Sequence, residues 1–323
     1  MLFENYARSE AALVAGMAEM VVNGVSTRKV EKVMEELCGT SFSKSTVSNL
    51  CKDLSKDVEA FRNRSLNGPY PFLTVDATYF KVRENHRIIS KAFMIAYGTN
   101  SYGNREILGF NIYPEESTNT WRDFLDSLKK RGLYGTLLVT SDAHGGIKAA
   151  LQKELPEAAW QRCQFHFTKN IGELTPKKYQ AGLRAEVNEL FQAKTMKEAI
   201  EKRDEILASY SEVAPRAMAC LEEGFEDAMT VMVLPKGMRR FFRTSNHIER
   251  VNRELKRRSD VIGVFPNETA LMRLMGSTLM ELNEKRQAGK AVFSHQSYEE
   301  MMKSDVPAEL KRAAIRQINM AAA

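Results

Sequence analysis

Three acidic residues are set apart by where they fall. Asp76 sits in the apolar run TVDATYF. Asp142 ends the run TLLVTS, just before Ala143-His144-Gly145-Gly146, and Glu249 lies inside a stretch crowded with cations. An Asp in the middle of a strand-like run is disfavoured by propensity and by lost solvation. Asp142 ends a short apolar run of the buried, parallel-strand kind, and ligand sites collect at the C-terminal ends of such strands. From Arg239 to Arg258 there are eight Lys/Arg and two Glu, a net of +6 that equals the formal charge of the whole chain. A local concentration of this kind is an electrostatic footprint for a polyanion. Singly, each acid has an ordinary structural account: a hydrogen-bonded core Asp at 76, a helix N-cap at 142, and for Glu249 an i,i+4 pair with Arg253. Together they offer the hard oxygen ligands that Mg2+ or Mn2+ prefers. His144 and His247, each close to one of the acids, read as exposed polar residues.

Positioning these acids falls to a fold whose order can be read from pattern. Phe72–Thr78, Ile88–Tyr97 and Glu106–Tyr113 are strand candidates separated by short turns, which favours an antiparallel meander. Ser117 or Thr118 starts a helix with Trp121, Phe124, Leu125 and Leu128 inward, ending at Gly132. Thr136–Ser141 is a fourth strand, Ile147–Leu155 a helix, and Ala159–Phe165 a fifth strand. Residues 173–236 are rich in Ala, Glu, Lys, Leu and Met with almost no strand signal, as expected of an all-helical insertion. The basic helix with Glu249 follows, then a helix from Asn267 to about Glu284. These patterns divide the chain into a helical region at 1–66, the first part of a mixed α/β core at 67–172, the insertion at 173–236, the rest of the core at 237–287, and a polar, peripheral helical tail at 288–323.

Before the first strand, two short helices joined by Cys38-Gly39 resemble a helix-turn-helix. The second would turn Val47, Leu50, Leu54, Val58 and Phe61 inward and present Lys44 and Lys52, among other polar residues, to DNA. An ordinary helical hairpin fits the same residues.

Composition narrows the classes. The chain has 323 residues, 43% hydrophobic and 27% charged, which describes a globular protein with a real core. No apolar run reaches the length of a membrane span, and MLFENYARSE lacks a basic segment followed by an apolar one. Cys38, Cys51, Cys163 and Cys220 form neither a disulfide framework nor a paired CxxC site. A reduced, cytoplasmic protein is expected. The absence of GxxxxGK[ST] argues against a nucleotide-driven enzyme.

The local motifs add a family resemblance. VDATYFKVR around Asp76, VTSDAHGGIKAAL around Asp142 and TSNHIERVNRELKRRSDVIGVFPN around Glu249 resemble the Mutator-like transposases of bacterial insertion sequences, from Gly68 to Glu284. The resemblance implies an RNase H-like, retroviral-integrase-type core with a mixed five-stranded sheet. It also implies a DDE enzyme in which Asp76, Asp142 and Glu249 hold two Mg2+ (or Mn2+) ions for cleavage and strand transfer. Cys163-Gln164-Phe165-His166 matches the family's Cys-x-x-His. Cys163 and His166 are given a supporting role, with His166 touching DNA or orienting a carboxylate. Asn246 and Asn252 would hydrogen-bond DNA or the carboxylates. Arg250, Arg253, Lys256, Arg257 and Arg258 would neutralise backbone phosphates. The implied partners are double-stranded DNA, as terminal inverted repeats and as target, and a second copy of the chain for synapsis. No membrane partner is implied, and the setting would be the cytoplasm, at the nucleoid when bound to DNA. Members carry a longer region before the first Asp than the 75 residues found here. The alternative is a truncated or domesticated relative acting as a nuclease or only as a DNA-binding protein.

Overall fold

The computed structural model describes residues 44–322 and, before them, 16–17, 19–20, 22–25, 29–30, 32–33 and 36. The sheet starts from a long hairpin. β1 (Phe72–Glu84) and β2 (Arg87–Thr99) pair antiparallel along their whole length, from Phe72 opposite Thr99 to Glu84 opposite Arg87. Their two-residue turn places Asn85 at φ 47 and His86 at φ 63. Two successive positive φ values give the turn a twist that matches its strands. β3 (Arg105–Tyr113) adds antiparallel to β2. α2 (Thr118–Lys130) then crosses over so that β4 (Leu138–Ser141) runs parallel to β1, and α3 (Gly145–Glu154) brings β5 (Ala159–Arg162) parallel to β4. The result is one mixed five-stranded sheet of order β3-β2-β1-β4-β5.

Side chains alternate across a strand, and each face of the sheet has its own cover. Leu73 and Val75 of β1, with Met94 and Ala96 of β2, pack against Trp121, Phe124, Leu125 and Leu128 of α2. α2 begins with a reciprocal cap: Thr120 N–H donates to Ser117 Oγ at 3.3 Å and Ser117 N–H to Thr120 Oγ1 at 2.9 Å. Beyond its C-cap, Arg131, the chain turns at Gly132, whose φ of 104 only glycine adopts readily. The opposite face presents Phe80, Val82, Phe93 and Ile95. It is covered by Val58 of α1 (Lys44–Asn63), by Ile248, Val251 and Leu255 of α9 (Asn246–Asp260), and by Leu271 and Met275 of α10 (Glu268–Gln287).

Between β5 and α9 the chain is helical: α4 (Gln164–Glu173), α5 (Lys177–Leu190), α6 (Met196–Tyr210), α7 (Pro215–Met229), a 3-10 turn (Thr230–Val233) and α8 (Lys236–Phe242). Phe167, Leu183, Val187, Ile206, Leu221 and Phe225 form a core of their own there. The fifth strand stops at Arg162, short of the expected Phe165, because Gln164 already starts a helix. Cys163, Phe167 and Ile171, at helical spacing, are all buried. Gln161 and Gln164 both donate to the Ala228 carbonyl, at 2.8 and 2.9 Å, and so tie this junction to α7.

The C-terminal segment is not peripheral. It forms α11 (His295–Lys303) and α12 (Val306–Ala322). Leu310, Ala313 and Ala314 are buried with Phe72, Leu138 and Ala159. Gln317 serves the open edge of β5: it accepts from Trp160 N–H and donates to Trp160 C=O, both at 2.8 Å. A side-chain amide thereby satisfies the backbone groups that an edge strand leaves unpaired. Composition hid this, because the segment is polar overall and buries only a narrow stripe.

Lys52 is exposed on α1, and Val58, expected inward, is buried. Most of the first helix of the helix-turn-helix candidate, its Cys38-Gly39 turn and the side chain of Lys44 lie outside the described residues. Among the described residues no helix is long and apolar enough to cross a membrane.

Candidate active site

β1 turns its even-numbered residues toward α9, and Asp76 is one of them. Its Oδ1 accepts the N–H of Ala77 at 2.9 Å, and its Oδ2 accepts Asn252 Nδ2 from α9 at 2.7 Å. Two segments far apart in sequence thus meet at one carboxylate. Asp142 leaves β4, which pairs in parallel with β1 through Thr74 and Thr140, so its carboxyl lies at the same end of the sheet. Its Oδ1 accepts the backbone N–H of His144 at 3.3 Å.

Glu249 comes from the first turn of α9. That helix is fixed by its buried stripe Ile248, Val251 and Leu255, which leaves Glu249, Asn252, Arg253 and Lys256 along another flank. Its entry is fixed by hydrogen bonds to the sheet side: Thr140 Oγ1 donates to Phe242 C=O at 2.8 Å, and Gln164 N–H to Arg243 C=O at 3.0 Å. The i,i+4 pair of Glu249 with Arg253, the ordinary structural account of this acid, does not form. Glu249 Oε1 instead accepts Ser245 Oγ at 3.0 Å and lies 3.8 Å from His166 Nε2.

Cys163 and His166 lie beside this carboxylate because α4 starts directly after β5. Buried Cys163 caps α4, and His166 is in its first turn. The ligating atoms of Cys163, His166 and Glu249 all lie within 4.8 Å of one another. Ser245 N–H reaches Cys163 Sγ at 3.3 Å, and Ser245 Oγ lies 3.1 Å from it. Ser245 was not singled out in the sequence; its one signal is its place four residues before Glu249.

The electrostatics follow from crowding. Burial is the main reason that Asp76 is pushed up to about 7, with the Asp142 carboxylate the next cause and Glu249 a smaller one; His166 and the Ala77 N–H oppose the shift. His166 is pushed up to about 9, first by the neighbouring Cys163 sulfur and then by Glu249 and Asp76, against the effect of burial. The Cys163 thiol is lowered: burial raises it, but His166 and Ser245 outweigh burial. Glu116, also missed in the sequence, is half-buried near Asp142 and His144, and burial raises its pKa.

The basic residues divide. Arg250 and Arg253 are exposed. Arg257 is exposed but ion-paired with Glu254 at 2.7 Å. Lys256 is half-buried, donates to the Tyr79 carbonyl and lies 4.4 Å from the Phe80 ring centroid. Arg258 is 4% exposed and bound to Glu254 at 2.9 Å, Glu281 at 2.6 Å and the Val22 carbonyl at 3.0 Å. Its expected role on phosphate is therefore corrected to a packing role. Position 258 continues the buried stripe of Val251 and Leu255 at helical spacing, so pattern alone could have revealed it. His247 is also corrected: it is buried, with its ring 5.0 Å from that of Tyr97, and burial lowers its pKa well below the usual range. His144 is exposed, as is Asn246 at the start of α9.

Carboxylate oxygens are ligands of the kind that hard divalent cations take. Asp142 and Glu249 both raise the pKa of Asp76, and His166 is the counter-charge that opposes them. Among the described residues the ligating atoms that group most closely are those of Cys163, His166 and Glu249, and Asn252 Oδ1 and His166 Nδ1 are buried without hydrogen-bond partners. The softer ligand, Cys163 sulfur, is already engaged by Ser245.

This arrangement sits in a chain of known kinship. Residues 1–289 match the family described as "Transposase, Mutator family", and the chain belongs to that family. It is 44% identical over 287 residues to the transposase for insertion sequence element IS256 in transposon Tn4001 of Staphylococcus aureus, covering 88% of this chain and 73% of that one. The transposase for ISRM5 of Rhizobium meliloti is 42% identical over 283 residues, 88% of this chain and 71% of its own. That for IS1081 of Mycobacterium tuberculosis is 38% identical over 285 residues, 88% and 69%.

Proposed function

We propose that this chain is the transposase of an insertion sequence, a DDE enzyme that binds terminal inverted repeats and catalyses DNA cleavage and strand transfer on an RNase H-like core. The observation that carries the reading is the meeting of Asp76, Asp142 and Glu249: Asp76 touches α9 through Asn252, and both other acids lie close enough to raise its pKa. The sheet order β3-β2-β1-β4-β5, with the first two pairings antiparallel and the last two parallel, supports the core assignment. Asp76, Asp142 and Glu249 would hold two divalent ions, Mg2+ or Mn2+, which supply activation of the entering oxygen and stabilisation of the leaving one. The protein's part is positional. Asn252 holds Asp76 Oδ2, and Ser245 holds Glu249 Oε1, so two acids arrive with their rotamers set. His166 balances negative charge at Glu249 and Asp76. Exposed Arg250 and Arg253, on the same helix as Glu249, would hold the phosphates beside the reacting one. Double-stranded DNA is the substrate, and bringing two ends together calls for at least two copies of the chain.

The test is a strand-transfer assay on labelled terminal-repeat DNA with Mg2+ or Mn2+. Asp76→Asn, Asp142→Asn and Glu249→Gln should each abolish cleavage while DNA binding persists. Substantial cleavage by any of the three would sink the assignment.

A further inference from the structure

A cleft of 430 Å3 opens between α4, α5 and the segment that enters α9. Its volume lies within the roughly 300–1,000 Å3 of small-ligand sites. Lys169 and Arg184 are exposed cations from two helices, Lys169 3.7 Å from exposed Glu173, and Arg243 is a third, half-buried, from a third segment and within 3.4 Å of the Phe191 carbonyl. No carboxylate lines it; its other polar residues include Gln164, Asn188 and Asn246. Phe165 forms part of the wall and is 49% exposed, an unusual position for a Phe in the first turn of a helix whose Phe167 is fully buried. Phe165 is also the immediate neighbour of His166, the residue 3.8 Å from Glu249, with their rings 5.5 Å apart. Asn246 stands one turn before Glu249 on α9.

An aromatic face, three cations, amide groups and no acid are what a nucleotide requires: a ring to stack on, charge for a phosphate, and donors and acceptors for a base edge. We infer that this cleft receives one unpaired nucleotide of the DNA strand adjoining the phosphodiester at Asp76, Asp142 and Glu249, with its base stacked on Phe165 and its phosphate held by Arg184 and Lys169. This rests on the proposed action on DNA and adds a requirement to it: the strand must open locally beside the cut.

The full chain carrying Asp76→Asn, which is expected to bind without cutting, allows a direct test. Its affinity for two duplexes of the same terminal repeat would be measured by fluorescence anisotropy. One duplex is blunt and one has a short single-stranded 3′ overhang containing 2-aminopurine, whose fluorescence reports stacking. The overhang duplex should bind on the order of tenfold tighter, with quenched 2-aminopurine. Phe165→Ala should remove both effects and leave blunt-duplex affinity unchanged, while Phe165→Trp should preserve the preference. Equal binding of the two duplexes, or an undiminished preference in Phe165→Ala, overturns the subsite and leaves the transposase reading intact. Failure to bind either duplex overturns the DNA reading and the subsite with it.

Discussion

The two halves of α9 look alike in sequence and do opposite work in the fold. The first half carries Glu249, Arg250, Asn252 and Arg253; the second carries Lys256, Arg257 and Arg258. On charge alone the second half is the better polyanion site. In the structure its cations turn inward or pair: Arg258 is buried on Glu254 and Glu281, Lys256 reaches back to β1, and Arg257 holds Glu254. The first half, with fewer cations, faces Asp76 and the open side of the site. Charge count therefore locates a basic helix, while the register of its buried stripe decides which cations can meet phosphate.

The contrast is broken most severely at its two extremes. Glu249→Gln should take cleavage to background with folding intact. Arg258→Ala should instead unfold more easily, by about 2–3 kcal/mol, because it removes a buried side chain and its charge-assisted hydrogen bonds to Glu254, Glu281 and the Val22 carbonyl, while Arg257 and Lys285 still pair with the two acids. Chemical denaturation followed by circular dichroism separates the two. An Arg258→Ala protein of full stability but weakened DNA affinity would return that residue to the phosphate-binding set.

A pH effect belongs to Asp76, the β1 acid that the first half of α9 meets through Asn252. Asp76 titrates near 7 in the folded chain against an ordinary 3.8. Between these values the unfolded chain gives up a proton that the folded chain retains. Stability without divalent metal should therefore fall as pH rises through that window and level off above it. Asp76→Asn removes the loss. In chelator it should be more stable than the parent by a few kcal/mol at about pH 8, with the gap closing toward about pH 4. Melting curves that run parallel across this range would contradict the crowding of carboxylates at Asp76.

Smaller effects sharpen the boundary between the halves. Arg250→Ala and Arg253→Ala should each weaken DNA binding and reduce the slope of log affinity against log salt by about one. Arg257→Ala should cost at most about 1 kcal/mol of stability, as expected of an exposed pair, and should shift the salt slope less than either. A larger slope change at Arg257 than at Arg253 would invert the proposed orientation of DNA along the helix.

Much of this arrangement was legible in the chain. Alternation gave the three-strand meander, and helical spacing gave Trp121, Phe124, Leu125 and Leu128 of α2, since both patterns are local consequences of backbone geometry. Asp76 stood out because a charged residue in an apolar strand needs a reason. What escaped was set by partners distant in sequence. His247 looked exposed because it is a polar residue in a basic stretch, yet it lies on the buried side of α9 against Tyr97. Gln317 looked like tail and instead closes the edge of β5. Glu116 carried no local signature, and Ser245 only its spacing of four from Glu249.

The sequence by itself determined the strand and helix order, the family, and which three acids deserved to be grouped, because residue type and period survive without knowledge of the fold. Only the tertiary structure decided that Asn252 holds Asp76, that His166 rather than Arg253 faces Glu249, and which acids Arg258 binds. Those outcomes depend on the angle and rotation at which α9 packs on the sheet. That rotation is fixed by contacts between residues a hundred or more positions apart, such as Thr140 with Phe242 and Asp76 with Asn252.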